Sequence, residues 1–412
     1  MAIYKEISPD QIKTAKSFLN QLVDVVQEDI SGSNTRRKYQ VFVTGGVGPG
    51  VTSSLFQTVY DQDFSLSTAN PIFDMTVGLY ESGSTVTDAQ TGIDSAGKMR
   101  FPSQSLMMRE KVDIYRQFAQ SLLGNAGSSF YSPHDSESAS DRIDEAMFVC
   151  FKRLFARDQI KRETFAMNFF MTASQTWHAF DSSGESYSGH EGPNHNVTSA
   201  SGSAFFTDIG SARNKTTTFG GSVASLAAAH NTNIKPGLIF YDRGVVVLDL
   251  AKAMSGSQHV KGQVNAVNLD GVEKMGHSGS NVPWNPYSKF IPDYLTSGSI
   301  DNILDHIATC RFSSGSNTAI TFQNITNINS TLIFCRAGAE EFNYSGNPTY
   351  TNNQNRIRVI DEGQEENQRS FTFVTGIGLY DANDNLLAIA KLSRPVEKND
   401  EKDVTFRIRL DF

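Results

Sequence analysis

Apolar and polar residues alternate most clearly between Phe371 and Phe412, in three short runs separated by two polar turns. The first two runs, Phe371–Tyr380 and Leu386–Leu392, flank Asp381–Asn385, whose Asp and Asn side chains favour turn geometry. This pattern predicts a β-hairpin. Proline cannot donate a ladder hydrogen bond, so Pro395 is expected to stop the pairing before the last run.

The last run, Val404–Asp411, places apolar residues at alternate positions, with Thr, Arg and Asp between them. Alternation with a period of two predicts a strand with one apolar face and one charged face. A strand whose backbone groups are unpaired is a template for another chain. We therefore expect the segment from Phe371 to Phe412, and its terminal strand in particular, to lie at contacts between subunits.

Three segments before residue 165 show the spacing of an amphipathic helix. The first runs from Ile12 to Ile30 and follows Ser8–Gln11, which has the residues of a helix start; the others are Ser105–Leu123 and Asp141–Lys161. The apolar stripe of the first helix could pack on its own domain or on a neighbouring subunit. Basic residues near the end of the third could stabilise the helix C-terminus or dock onto an acidic neighbour.

After residue 165 the pattern changes to strands and loops. The predicted elements are a hairpin over Gly237–Leu250 that turns at Asp242-Arg243-Gly244, strands over Thr318–Ile325 and Thr331–Ala337, and a short helix over Ile300–His306 capped by Ser299. The segment Ser174–Asn233 is rich in Ser, Gly, Asn and Thr and is predicted to form irregular loops. We expect these loops to become ordered against other subunits.

Together these patterns predict an α+β fold, in which a helix-rich N-terminal part is followed by mainly antiparallel β-structure with long loops. Shifts in composition predict three domains. They are a helix-rich N-terminal domain over 1–165 with a strand and a Gly-rich loop, a loop-rich β domain over 166–297, and a C-terminal β domain over 298–412 that ends in the terminal strand.

The composition is typical of a globular chain with many turns: of 412 residues, 39% are hydrophobic, 32 are Gly and 28 are Phe. The formal net charge of −8 makes a nucleic-acid partner unexpected, because phosphate neutralisation requires a basic surface. No apolar run approaches the ~18 residues of a membrane span, and no leader pattern follows Met1, so we expect no membrane partner and synthesis in the cytoplasm without secretion. Cys150, Cys310 and Cys335 show no pairing pattern and are expected to be reduced and buried.

Two segments have only a superficial likeness to catalytic motifs. Gly45–Ser54 is Gly-rich like a phosphate-binding loop, but Val51 stands where that loop needs a lysine. The histidines of His190–His195 are five residues apart with Gly and Pro between them, whereas a zinc-protease helix needs them four apart. A looser metal site with His178 or His230 is an alternative. We predict no catalytic, cofactor-binding or metal-binding residues, no cofactor, and no enzymatic activity.

Six segments carry a resemblance to a known family. They are Gln21–Phe64, Ser105–Gly124, Phe151–Phe165, Gly237–Leu248, Glu340–Tyr350 and Phe373–Pro395. The most specific part combines FNYSGNP, a strand with GLY, an acidic turn, LLAIAKLSRP and a final strand that ends in Asp and an aromatic residue. In this combination the chain resembles a family of virion structural proteins from contractile-tailed bacteriophages, especially those that infect marine cyanobacteria.

The resemblance implies a non-enzymatic building block of the virion, of the wedge type in the tail baseplate. Its partners would be other virion subunits and copies of itself. Three alternatives are consistent with the same residues. One is a neck or head-vertex structural protein; another is a receptor-binding or tail-fibre attachment protein, although the chain lacks the periodic repeats of fibres. The third is a hydrolase of the cell envelope, for which Glu191 or His195 would be candidates.

Overall fold

The computed structural model describes residues 4–42, 52–88, 106–174, 199–210, 215–217, 219–254, 290–312 and 317–411. These residues are mostly antiparallel β-sheet, with about 45% in strands and 20% in helices. The predicted α+β fold with a helix-rich N-terminal part is therefore wrong. The described strands are β1 (Ile12–Val26), β2 (Arg36–Phe42), β3 (Thr52–Tyr60), β4 (Pro71–Leu79), β5 (Phe130–Tyr131), β6 (Arg142–Ile143), β7 (Glu145–Phe151), β8 (Gln159–Ile160), β9 (Ala166–Ser174), β10 (Ser199–Thr207), β11 (Lys215–Thr217), β12 (Gly221–Ala228), β13 (Gly237–Phe240), β14 (Val245–Asp249), β15 (Thr318–Ala337), β16 (Phe371–Tyr380), β17 (Leu386–Asn399) and β18 (Val404–Asp411).

Helices are few and mostly short. The α-helices within the described residues are α1 (Gln27–Ser31), α2 (Ser84–Asp88), α3 (Leu106–Leu123), α4 (Arg153–Ala156), α5 (Leu250–Ala253), α6 (Leu295–Ser297) and α7 (Ile300–Arg311). Two of them confirm predicted helices. One is α3, and the other is α7, where the Oγ of Ser299 accepts the backbone N–H of Asn302 at 3.2 Å and so caps the helix as expected.

The chain forms two compact units. The large unit is Asn20–Thr326, and the small unit combines Met1–Leu19 with Asn327–Phe412. Strands β1 and β15 each contribute residues to both units. This division follows contacts between residues, whereas the predicted boundaries after residues 165 and 297 follow composition, and the two sets do not coincide.

One antiparallel sheet organises the large unit. Its strands follow the order β15, β9, β10, β12, β13, β14, β7, β4, β3 and β2, with β8 paired to β15 and β11 paired to β12. Helix α3 packs on β4, where Gly78 allows the close approach: an added Cβ would lie 3.0 Å from the backbone nitrogen of Tyr115. The rings of Phe118 and Phe148 stack 4.0 Å apart in this core.

The segment Asp141–Lys161, predicted as a helix, instead forms β6, β7, α4 and β8. Strand β7 lies between β14 and β4, with Ala146 opposite Asp249 on one side and Gly78 on the other. A strand in this central place is buried on both faces and reads as a continuous apolar run, as Ala146–Phe151 does. Periodicity alone cannot distinguish such a run from a buried helix, and this is why the prediction failed.

The predicted helix from Ile12 to Ile30 is also wrong. The capping signal is met locally, since the backbone N–H of Ser8 donates to Oε1 of Gln11 at 3.2 Å, but the chain makes only a single 3₁₀ turn there. It then extends into β1, which pairs with β15. Val23 and Val25 are buried with a period of two, whereas the proposed helical stripe from Ile12 to Leu22 is exposed, so strand pairing overrides the local helical pattern.

The predicted hairpin over Gly237–Leu250 is confirmed as β13 and β14, with Phe240 paired to Val245 across the turn. Gly244 has a φ of +62°. This left-handed conformation favours glycine, and an added Cβ would lie 3.0 Å from the Cβ of Ala156. Turn chemistry and close packing therefore both select glycine at this position.

In the small unit, β18 pairs with β15 over Ser330–Ala337, and β16 pairs with β17. Ile333, Leu379 and Ile408 bring these two pairs together around one apolar cluster. The predicted hairpin of β16 and β17 is thus confirmed. Pro395 does not end it, because the ladder resumes at Val396 after an irregular stretch in which β17 has more residues than β16.

Candidate interaction surface

The hairpin of β16 and β17, from Phe371 to Asn399, is here named the arm. Its strands pair only with each other among the residues that the structure describes, so each has an outer edge without a ladder partner in that part of the chain. One side of the arm packs inward, because Leu379 is buried and Ala388 and Ala390 pack against the apolar cluster of the small unit. Successive side chains of a strand point to opposite faces. The residues between these positions therefore face outward.

The outward side of the arm is apolar. Ile389 lies between Ala388 and Ala390, opposite Gly378, and is 62% exposed. Leu387 is 69% exposed, and Tyr380 and Leu386 are exposed near the turn. A strand in contact with water usually alternates apolar with polar residues. From Leu386 to Ala390 both sides of β17 are apolar, and exposed apolar residues grouped in this way are typical of surfaces that bind another molecule.

The arm is firmly attached at its base. Lys398 is fully buried, and its Nζ donates to the carbonyl oxygens of Ala339 and Asn399 at 3.0 and 2.6 Å and to Oδ1 of Asn343 at 2.8 Å. These three acceptors match the three donors of an ammonium group. The Oγ1 of Thr372 also donates to the carbonyl of Phe342 at 3.0 Å. The outward residues are therefore presented on an ordered element, not on a loose tail.

Comparisons with protein-family models, with curated proteins and with solved structures find no match.

The charges of the arm are unevenly distributed. Phe371–Tyr380 contains no charged residue, Asp381 and Asp384 lie at the turn, Lys391 and Arg394 lie towards the base, and Glu397 and Lys398 lie at the base itself. The carboxylate of Asp381 stabilises the turn, where it accepts hydrogen bonds from Asn385 and Asn383, and these bonds lower its pKa. Within the described residues, Asp384, Lys391 and Arg394 form no ion pair, whereas Glu397 pairs with Lys402.

The remainder of the small unit satisfies many of its charges internally. Its ion pairs join Lys5 to Glu341, Arg336 to Asp403, Arg356 to Glu362 and Glu365, Arg369 to Asp400 and Glu401, and Arg409 to Asp411, and Lys402 pairs with Glu397 of the arm. Against this background, the exposed Asp384, Lys391 and Arg394 are charges that a partner could neutralise.

The terminal strand differs from what the alternating pattern suggested. All of β18 from Val404 to Asp411 is paired with β15, and Ile408 is buried in the cluster with Ile333 and Leu379. Along the edge that faces β15, this strand is therefore fully paired within the small unit. Its truncation would remove core residues as well as any contact surface, so it cannot separate assembly from folding.

A second apolar stretch lies on β1. Ile12, Phe18 and Leu19 are exposed in the small unit, and Leu22 is exposed in the large unit. Lys13 places its ammonium 6.0 Å from the ring centre of Phe334, so part of this strand lies beside β15. The strand β1 is therefore a second element on which large apolar side chains are exposed.

The large unit contains a pair of buried carboxyl groups on neighbouring strands. Glu145 accepts a hydrogen bond from the Oγ1 of Thr85, and burial raises its pKa to about 7. Burial also raises the pKa of Asp249 to about 6, although Oδ1 of Asp249 caps α5 and the Nζ of Lys252 lies 3.7 Å from Oδ2. Paired acids with raised pKa values can serve acid–base chemistry, but these two have structural partners.

Two further polar groups fix α7 and α6 in the large unit. Asp305 of α7 accepts hydrogen bonds from Arg36, Lys38 and Gln57 at 2.9, 2.6 and 3.0 Å. Lys111 is fully buried, and its Nζ donates to the carbonyl oxygens of Leu295 and Gly298 at 2.6 and 2.7 Å. These contacts join distant segments of the sequence and account for the burial of both charges.

The motifs considered in the sequence fall mostly outside the described residues. This is true of most of Gly45–Ser54 and of His178, Glu191 and His195; His230 is exposed. No group of three potential metal ligands occurs in the part of the chain that is described. None of the described helices is long and apolar enough to cross a membrane. The three cysteines are free, but only Cys310 is fully buried, whereas Cys150 and Cys335 are half-buried.

Sequence reasoning missed the outward face of the arm and the buried acids. The run Leu386–Ala390 is apolar at every position, which could have indicated that both of its faces are covered. Glu145 and Asp249 stand directly before and after apolar runs, at the ends of buried strands. Their position at a strand end carried no such signal, because turns and helix caps use the same residue types.

Proposed function

We propose that this chain is a non-enzymatic structural subunit of a phage particle, and that it acts in the baseplate of a contractile tail through protein–protein interfaces. The assignment to phage rests on the resemblance of its segments, in particular the C-terminal one. The assignment to an interface role is supported by one structural observation, the apolar outward surface of the small unit.

The small unit holds ten of the eighteen large apolar side chains that are exposed in the described residues, although it contains about a third of those residues. Five of the ten lie on the arm: Phe373, Tyr380, Leu386, Leu387 and Ile389. Exposed apolar side chains concentrated on one element are typical of a surface that binds another protein, and permanent interfaces bury roughly 2,000 Å² or more. A subunit that stays in a particle would cover these side chains with its neighbours.

The experiment is mass spectrometry of particles purified from an infected culture, with heads and tails separated, together with deletion of the gene. We expect the chain in the tail fraction and particles without complete baseplates after deletion. Absence of the chain from purified particles would contradict the proposal, and its recovery with heads would move it to a neck or head-vertex position.

Complementation with variants tests whether the arm carries the contact. The double variant Leu387→Ser/Ile389→Ser changes only exposed side chains and is expected to fold but to enter particles poorly. Leu154→Ser, which changes an exposed apolar residue of the large unit, is the matched control and is expected to be incorporated normally. Normal incorporation of the double variant would remove the arm from the proposal.

A further inference from the structure

Glu145 is a buried carboxyl group that lies between a strongly held strand and a weakly held helix. It belongs to β7, which pairs with β4 on one side, where Leu79 is opposite Glu145, and with β14 on the other. Its carboxyl group accepts a hydrogen bond from Oγ1 of Thr85 in α2, and both residues are 5% exposed. Helix α2 therefore shields this carboxyl group from water.

The charges around Glu145 are unbalanced. Its acidic neighbours are Asp144 and Asp249, and both disfavour the ionisation of Glu145. Two cations serve the other carboxyl groups of this region: Arg142 binds Asp144, and Lys252 lies 3.7 Å from Asp249 and 3.5 Å from Asp141. Glu81, on the turn before α2, is exposed and lies 4.0 Å from Arg116. Among the described residues no cation forms an ion pair with Glu145, so its ionised form would be a buried charge without a counter-ion, which is strongly unfavourable.

Helix α2 is the weakest of the elements that contact Glu145. It has five residues, whereas isolated helices shorter than about 12 residues are marginal in water. The amides of Val86 and Thr87 donate to the carbonyl oxygen of Gly83 at 3.1 and 2.9 Å, within the same turn. Thr85 and Val86 are its buried side chains among those described. The helix is therefore held on the sheet by few groups, and the bond from Thr85 to Glu145 is one of them.

We propose that α2 is a pH-dependent element, which stays on the sheet while Glu145 carries its proton and opens locally when Glu145 loses it. Burial raises the pKa of Glu145 to about 7, whereas a Glu145 that reaches water regains its ordinary value of 4.5. The closed form is therefore most stable below about pH 4.5. Its stability decreases as the pH rises and levels off above about pH 7.

The other neighbours of Glu145 are less able to open. Asp249 caps α5, and Leu250 and Ala253 of this helix are fully buried. The Nζ of Lys252 also donates to the carbonyl oxygen of Ser132 at 2.7 Å. Movement of β7 itself would break the ladders on both of its sides. An ionised Glu145 therefore reaches water most readily through α2, and this inference does not depend on the proposed role in a phage particle.

Hydrogen–deuterium exchange of the purified full chain, followed by mass spectrometry between about pH 5 and pH 8, tests the inference. The reporter is the peptide that contains Ser84–Asp88, compared between the unmodified chain and Glu145→Gln, which keeps an acceptor for Thr85 but cannot ionise. Because this peptide has the same sequence in both proteins, the ratio of its exchange rates cancels the intrinsic effect of pH. The ratio is expected to rise with pH by up to about a hundredfold, since the pKa shift from 4.5 to about 7 sets the limit. Glu137→Gln, at an exposed glutamate, is the control and is expected to match the unmodified chain at every pH.

The unmodified chain alone distinguishes local opening of α2 from unfolding of the large unit. The amides of α2 are expected to exchange at labelling times at which α3 is still protected. After correction for the intrinsic rate, their opening is expected to increase up to about pH 7 and then to level off. Exchange of α2 only together with α3, or a rate ratio that stays constant within about twofold over this pH range, would overturn the inference.

Discussion

Replacement of Glu145 by Gln gives a direct test of how the centre of the large sheet is held together. Glu145 is 5% exposed, and burial raises its pKa to about 7 from an ordinary value of 4.5. Between these two values the unfolded chain has released the proton of Glu145 while the folded chain retains it. Folding stability therefore decreases as the pH rises through this window, and levels off above about pH 7.

The magnitude follows from the size of the shift. One pKa unit corresponds to about 1.4 kcal/mol, and most, but not all, of the shift from 4.5 to about 7 takes effect between pH 5 and pH 8. Within this range Glu145 therefore lowers the unfolding free energy by about 2.5 kcal/mol. Burial of Asp249, whose pKa is raised from 3.8 to about 6, adds a loss in the same direction at the acidic end of this range. Glu145→Gln keeps an acceptor for Thr85 but cannot ionise.

Urea unfolding of the unmodified chain and of Glu145→Gln, followed by circular dichroism across this pH range, measures the effect. The variant is expected to have a flatter profile and to be the more stable protein at the alkaline end. Glu137→Gln, at an exposed glutamate, is the control and should leave the profile unchanged. Parallel profiles for the unmodified chain and Glu145→Gln would show that Glu145 is ionised in the folded chain, and the reasoning would be refuted.

Two other predictions concern stability. Asp305→Ala leaves the buried guanidinium of Arg36 without its carboxylate and is expected to lower the unfolding free energy by about 3 to 5 kcal/mol; a loss below about 1 kcal/mol in urea unfolding would contradict this. Gly244→Ala forces a side chain into a left-handed conformation beside Ala156 and is expected to cost about 1 to 2 kcal/mol, whereas Gly346→Ala, in open space, should be neutral in thermal unfolding.

The sequence predicted the elements whose signals are local. The hairpins at Asp242–Gly244 and Asp381–Asn385 were found because their turn residues determine the backbone conformation within a few positions. Helix α3 was found because its apolar stripe and its terminal glycine agree. In these segments the information is contained in the elements themselves.

The elements that depend on distant residues were missed. Strand β1 has a helical pattern and a helix-start signal, but its conformation is set by pairing with β15, some three hundred residues later. Strand β7 has neighbours from before and after it in the sequence, and the resulting burial on both faces removed the alternation that reveals a strand. Pairing of β18 with β15 was unpredictable for the same reason.

The candidate surface was predicted only in part. The segment Phe371–Phe412 was expected to lie at contacts between subunits, and the exposed apolar side of the arm fits that expectation without testing it. The terminal strand was given the main role because its outer face is charged and its pairing was unknown. In the part of the chain that the structure describes, β17 and not β18 combines an edge without a ladder partner with exposed apolar side chains, which the sequence alone did not indicate.

The discontinuity of the small unit affects the chain while a ribosome is making it. Residues 20–326 separate the two stretches that form this unit, and at about 5 to 20 residues per second their synthesis takes about 15 to 60 seconds. The large unit can fold as it emerges, because its sequence is continuous. During that interval the backbone of β1 has no partner strand, because β15 has not yet been translated, and the apolar side chains of Phe18 and Leu19 lie on a strand that is still unpaired.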